Sequence, residues 1–187
     1  MTRLASQYTL WLLLALPGLF LVLAWKSDFW TYGQVVSKSG LWSAQLLILT
    51  LAVTPLRRVF GATGPTRFLL RRRRDFGIAT FLYGLLHTIV YLVQKAEIGR
   101  ILAEAQEFWL AAGWIAILIF GVLAAISNDF FVRKLRQNWK RLQRLVYAAA
   151  VLTFVHWTIS AFDPLTAYVH IAVLLGIEAV RFIPRRA

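Results

Sequence analysis

Apolar residues in this chain fall into long runs, with no sustained alternation and no narrow amphipathic stripe of the kind a water-facing domain shows. Six runs can be drawn: Tyr8–Trp25, Leu41–Leu56, Phe76–Val93, Phe108–Ile126, Leu145–Phe162 and Leu165–Ile183. They approach or reach the roughly 18–20 residues that take an α-helix across a bilayer. The second is short and is expected to stop at Pro55, ahead of Arg57 and Arg58, because proline interrupts the helical hydrogen-bond ladder. The first has no clear small-x-small cleavage site before Trp25–Lys26 and is expected to be a retained span, not a signal peptide. With no internal repeat and no low-complexity linker, the pattern predicts an all-α membrane protein: residues 1–187 as one transmembrane domain, a six-helix bundle.

Composition agrees, with 59% hydrophobic and only 16% charged residues. Charge adds orientation. The net +13 would suit nucleic acid, but the cations sit in the segments between apolar runs. One side of the membrane receives Arg3, then Arg57, Arg58, Arg67 and Arg71 to Arg74, then Arg133, Lys134, Arg136, Lys140, Arg141 and Arg144, then Arg181, Arg185 and Arg186. The other receives Lys26, Lys38, Lys95 and Arg100. By the positive-inside rule both termini are expected in the cytoplasm, with the basic segments against anionic lipid headgroups and no nucleic-acid partner. The absence of cysteine excludes disulfides, thiolate metal sites, iron–sulfur clusters and covalently attached haem.

An ionisable residue inside an apolar run is costly and marks a candidate functional site. His87 lies 11 residues beyond Phe76, and His156 lies 11 beyond Leu145. At ~1.5 Å rise per residue both would stand roughly 16 Å deep in helices that run parallel. Matching depth suits two axial imidazoles on one haem iron. Gly84 and Ala149 would leave room for a flat ring, while Tyr83, Tyr91, Thr153 or Ser160 would hold each imidazole's second nitrogen. The alternative for either histidine is a hydrogen bond across a helix interface. His170, about five residues into the last run, is an interfacial histidine or an alternative metal ligand. No dinucleotide or phosphate loop, no Ser-His-Asp set and no H-E-x-x-H is present, and Glu178 is expected to pair with Arg181. Arg71 to Arg74 read as a topology determinant that also attracts an anionic headgroup or a cofactor phosphate.

The segments V-T-P-L-R-R (Val53–Arg58), R-R-R-R-D-F-G-I (Arg71–Ile78), L-L-H-T-I-V-Y (Leu85–Tyr91), R-K-L-R-Q-N-W-K-R-L-Q-R-L-V-Y (Arg133–Tyr147) and F-V-H-W (Phe154–Trp157) resemble the ferric-reductase-like transmembrane domain. They are most similar to the MsrQ (YedZ) family within it. The resemblance covers nearly all the chain from about Gly40; the first helix matches in character alone. It implies a six-helix b-type cytochrome of the bacterial inner membrane that carries haem b on His87 and His156. It also implies an association with FMN, and electrons drawn from the quinone pool or a flavin reductase for MsrP, a periplasmic molybdopterin enzyme that repairs oxidised methionines. The family commonly reads W-x-x-L-H-x-x-V-Y before the fifth helix, where this chain has Gln143. One haem is therefore expected, not two. On this reading the chain is an electron-transfer subunit, not a complete enzyme. The rivals are a stand-alone ferric or quinone reductase of the same fold and a small transporter or assembly protein without haem.

Overall fold

In the computed structural model, residues 3–182 are described, and side chains from residue 7 onward. Ile183, Arg185 and Arg186, used above to bound the last helix and to orient the chain, lie outside them, as does the Arg3 side chain. The described residues form helices and no strand: α1 (Arg3–Lys26), α2 (Tyr32–Phe60), α3 (Gly64–Lys95), α4 (Ile98–Glu104), α5 (Phe108–Ala125), α6 (Asp129–Leu135), α7 (Gln137–Gln143), α8 (Leu145–Ser160) and α9 (Leu165–Ala179), closed by a 3₁₀ turn at Val180–Phe182. Among the described residues six helical segments are long and apolar enough to cross a membrane, with α7 and α8 together forming the fifth. The protein is a multi-pass membrane protein.

Two helices outrun the apolar pattern. α2 begins nine residues before Leu41, where Thr31 and Gln34 form a reciprocal capping box. It also continues past Pro55 to Phe60. The missing proline N–H orphans the Leu51 carbonyl, and the Arg181 guanidinium reaches that oxygen at 3.4 Å. Arg73 similarly donates to Thr50 O at 3.0 Å. α3 begins at Gly64, twelve residues before Phe76, because the Thr63 hydroxyl caps its N-terminus and Pro65 sits in its first turn.

α2 is the most enclosed span: 61% of its apolar window is buried, against 6% for the last. On one side Leu21 of α1 and Phe76, Tyr83 and Val90 of α3 pack against its Val35 and Leu46. On the other, Phe120 of α5, Ala149 and Phe154 of α8 and Leu174 of α9 pack against its Leu47 and Leu51. The Ser43 hydroxyl donates to Thr80 O at 2.9 Å and ties α2 to α3; Tyr83 donates to Leu14 O at 2.7 Å and ties α3 to α1. Outward faces remain apolar, as lipid contact requires, with Leu12, Leu16 and Leu19 of α1 and Leu118 and Val122 of α5 exposed.

Arg181→Met would leave both the Leu51 carbonyl and the Glu178 carboxylate without this partner. It is expected to cost about 1–3 kcal/mol, read as a lower Tm in detergent. An unchanged Tm would show that the proline break needs no such repair.

Candidate functional site

The fold brings His87 and His156 together although they are 69 residues apart in the chain. Their ring centres are 6.2 Å apart and their planes meet at 89°. The two rings stand at one level, but α3 starts so much earlier than its apolar run that distance from the helix start does not measure depth. His87 stands eight residues from the C-terminal end of α3 and His156 four from that of α8. The pair therefore lies toward the Lys95 end of the bundle, away from the arginine-rich end.

Each imidazole is held in the same way. His87 Nδ1 lies 2.9 Å from the carbonyl of Val36 on α2, and His156 Nδ1 lies 2.8 Å from that of Trp109 on α5. A carbonyl only accepts, so each Nδ1 carries the proton and each Nε2 keeps a free lone pair. Four residues after each carbonyl stands a glycine, Gly40 and Gly113. A Cβ at Gly40 would come within 3.0 Å of His87 Nδ1, and one at Gly113 within 2.9 Å of His156 Nδ1. On a helix, residues i and i+4 share one face, so the glycine opens the surface over the carbonyl and lets the ring lie flat against the backbone. The ring of Trp109 also lies nearly parallel to His156, at 5.9 Å and 22°.

The partners expected from the sequence are not the ones used. Thr153 donates to Ala149 O, Tyr83 to Leu14 O and Tyr91 to Glu104, so none holds an imidazole. Ser160 bonds Trp157 O. Gly84 admits Ile117 of α5 and Ser43 of α2 rather than a cofactor ring, and Ala149 is fully buried in the core. Gly40 and Gly113 escaped notice; the retrievable signal was a glycine in each helix adjoining a histidine helix, at a level only the fold reveals.

His170 stands elsewhere, beside Trp157 at 5.1 Å, with Nδ1 donating to Thr166 O at 2.7 Å and Nε2 3.5 Å from the Gln45 amide. Among the described residues no three potential metal ligands cluster, so His170 does not join the pair. Gln143 is engaged as a brace, donating to Ser127 Oγ at 3.1 Å and to Leu123 O at 3.4 Å. Glu178 pairs with Arg181 at 2.5 Å, as expected. On the connection between α3 and α5 Glu104 takes Lys95 at 2.6 Å and the Tyr91 hydroxyl at 2.7 Å. The bond from Lys95, then that from Tyr91, holds the Glu104 carboxyl below its ordinary range. This clamp is complete at neutral pH and is lost as pH falls through the lowered Glu104 pKa.

The spacing of the two rings fits a metal held between them. Two metal–nitrogen bonds of about 2.0–2.1 Å between imidazoles set their ring centres roughly 6 Å apart, the spacing seen here.

Gly40→Ala and Gly113→Ala are expected to push the imidazole off its carbonyl and to cost about 1–3 kcal/mol each through overpacking. Gly176→Ala, where a Cβ meets nothing within 4 Å, should leave Tm unchanged or raise it. Equal behaviour of all three in a thermal melt would contradict the cradle.

Comparison with known proteins agrees with the geometry. The profile of the family described as ferric reductase like transmembrane component matches residues 39–154. The protein-methionine-sulfoxide reductase heme-binding subunit MsrQ of Ralstonia nicotianae is 35% identical over 93% of this chain and 84% of its own length. The subunits of the same description from Brucella ovis and Brucella canis are each 33% identical over 83% of this chain and 72% of their own. No solved structure matches the chain. The chain belongs to the ferric-reductase-like transmembrane family and, within it, to the MsrQ family.

Proposed function

We propose that this chain is the membrane-embedded b-type cytochrome of a protein-methionine-sulfoxide reductase system, with His87 and His156 as the axial ligands of one haem. The observation that carries the reading is the pair of imidazoles at 6.2 Å with both Nδ1 protons committed to main-chain carbonyls, which leaves both Nε2 atoms as ligands. The names of the relatives, heme-binding subunits, support it.

A bound haem supplies a one-electron iron couple; the protein supplies ligands, orientation and a dry pocket. Val36 and Trp109 fix the tautomer and ring plane through their carbonyls and make each Nε2 a stronger base. Gly40 and Gly113 leave the space in which both rings sit against the backbone. Gln143 brings an amide already engaged to the place where relatives carry a further histidine, which favours one haem over two.

Seventeen of the 21 lysines and arginines lie on one side, and this supports cytoplasmic termini and insertion in the bacterial inner membrane. In that orientation the histidine pair lies nearer the periplasm. Electrons enter from the quinone pool or from a flavin reductase, with FMN on the donor side. They leave to a periplasmic molybdopterin partner, MsrP, at a surface that includes the exposed Glu97 and Glu107 beside α4. The chain is thus an electron-transfer subunit rather than a complete enzyme, and its 187 residues form one functional domain.

Protein purified in detergent is expected to give a b-type reduced-minus-oxidised spectrum with about one haem per chain. His87→Ala and His156→Ala should each lose most of it, while His170→Ala should keep it. A parent without b-type absorption, or a full haem complement in both ligand variants, contradicts the assignment.

A further inference from the structure

At the end of the bundle opposite the histidines, α2, α3, α5, α7 and α8, with Gln7 of α1, line a half-open cavity of about 660 Å³. This is within the usual range for a small-molecule site. Its lining carries six cations, Arg71 to Arg74, Lys140 and Arg144, of which Arg71, Arg74, Lys140 and Arg144 are exposed, against the single carboxylate of Asp75. Three of the six are engaged: Arg72 with Asp75 at 3.5 Å, Arg73 with Thr50 O at 3.0 Å, and Arg74 with Asp129 at 2.8 Å. The side chains of Arg71, Lys140 and Arg144 make no hydrogen bond or ion pair among the described residues. Further in, the walls turn apolar, with Leu47 of α2, Phe120 of α5 and Val146 of α8.

Three like charges converging on one cavity repel one another, and the repulsion grows where the membrane lowers the dielectric. A polyanion relieves it. The apolar walls beneath the cationic mouth add a second requirement, a ligand whose charge is joined to a hydrocarbon part. Positively charged pockets between membrane helices on the basic side meet both needs with the phosphate and acyl chain of an anionic lipid. We infer that this cavity is a specific site for an anionic phospholipid, its phosphate held by Arg71, Lys140 and Arg144 and its upper acyl segment by the apolar wall. Lipid bound there bridges α3 to the α7–α8 joint, which few other polar contacts secure; Trp139 to Ile126 O and the Gln143 bonds tie α7 to α5 only. The inference does not depend on haem.

The test uses the full-length protein, delipidated in neutral detergent and titrated with phosphatidylglycerol, phosphatidylcholine, inorganic phosphate or FMN, with Tm and bound lipid by native mass spectrometry as readouts. Phosphatidylglycerol is expected to bind and raise Tm, and phosphatidylcholine and the two soluble phosphates to do neither. The triple variant R71Q/K140Q/R144Q should bind phosphatidylglycerol roughly a hundredfold more weakly, about fivefold per cation lost. R57Q/R133Q/R141Q removes equal charge from exposed positions outside the cavity and should bind as the parent does. If the first triple variant fails to fold, R71K/R144K with the headgroup series on the parent decides. Equal loss in both triple variants overturns the site in favour of general surface attraction. Stabilisation by FMN or inorganic phosphate to the same extent overturns it in favour of a soluble phosphate ligand. Absence of any headgroup preference in the parent overturns it outright.

Discussion

Two hydrogen bonds from imidazole to main-chain carbonyl, His87 to Val36 and His156 to Trp109, are the constraint on which the site depends. A helix carbonyl already accepts one bond from the residue four positions on, and its second lone pair is normally screened by that residue's side chain. Gly40 and Gly113 remove the screen. The buried polar edge of each ring then has a partner, which removes a desolvation cost of a few kcal/mol that would otherwise favour turning the ring away. It also fixes which nitrogen remains basic. Position and tautomer thus follow from a single local device used twice, once in each of two helix pairs.

The same economy recurs through the bundle. Where a polar side chain faces the interior, it most often donates to a main-chain carbonyl: Ser43 to Thr80, Tyr83 to Leu14, Arg73 to Thr50, Arg181 to Leu51. In a membrane, where water cannot take up the slack, a carbonyl freed by proline or offered by a helix turn is the available acceptor. These bonds set the register of α2 against α3 and of α1 against α3. They place the histidine pair toward one end and the arginine cluster toward the other, so that the two ends of the molecule face different chemistry.

Much of this was legible in the sequence. Apolar runs of spanning length located six membrane helices, and a histidine deep within two of them marked the pair that meets. Boundaries failed where a helix runs on into polar residues: nothing apolar marks Gly64–Asp75, yet a threonine cap and straight-chain arginines continue α3 through it. Pro55 misled because the repair of its orphaned carbonyl comes from Arg181, far along the chain. The expected hydroxyl partners of the imidazoles failed for a local reason. Threonine in a membrane helix bonds the carbonyl four residues back, as Thr88 does with Gly84 and Thr153 with Ala149. The glycine cradles were illegible because their meaning lies in a neighbouring helix.

The central claim is that both histidines ligate the same iron with their planes crossed. Electron paramagnetic resonance of the oxidised, haem-loaded protein tests it most directly. Two neutral imidazoles on one iron give a low-spin signal, and planes held near the observed 89° make it strongly anisotropic. The account predicts that signal in the parent and its replacement by a high-spin spectrum in whatever haem His87→Ala or His156→Ala retains. A high-spin parent, or a low-spin signal that survives loss of either histidine, would contradict it.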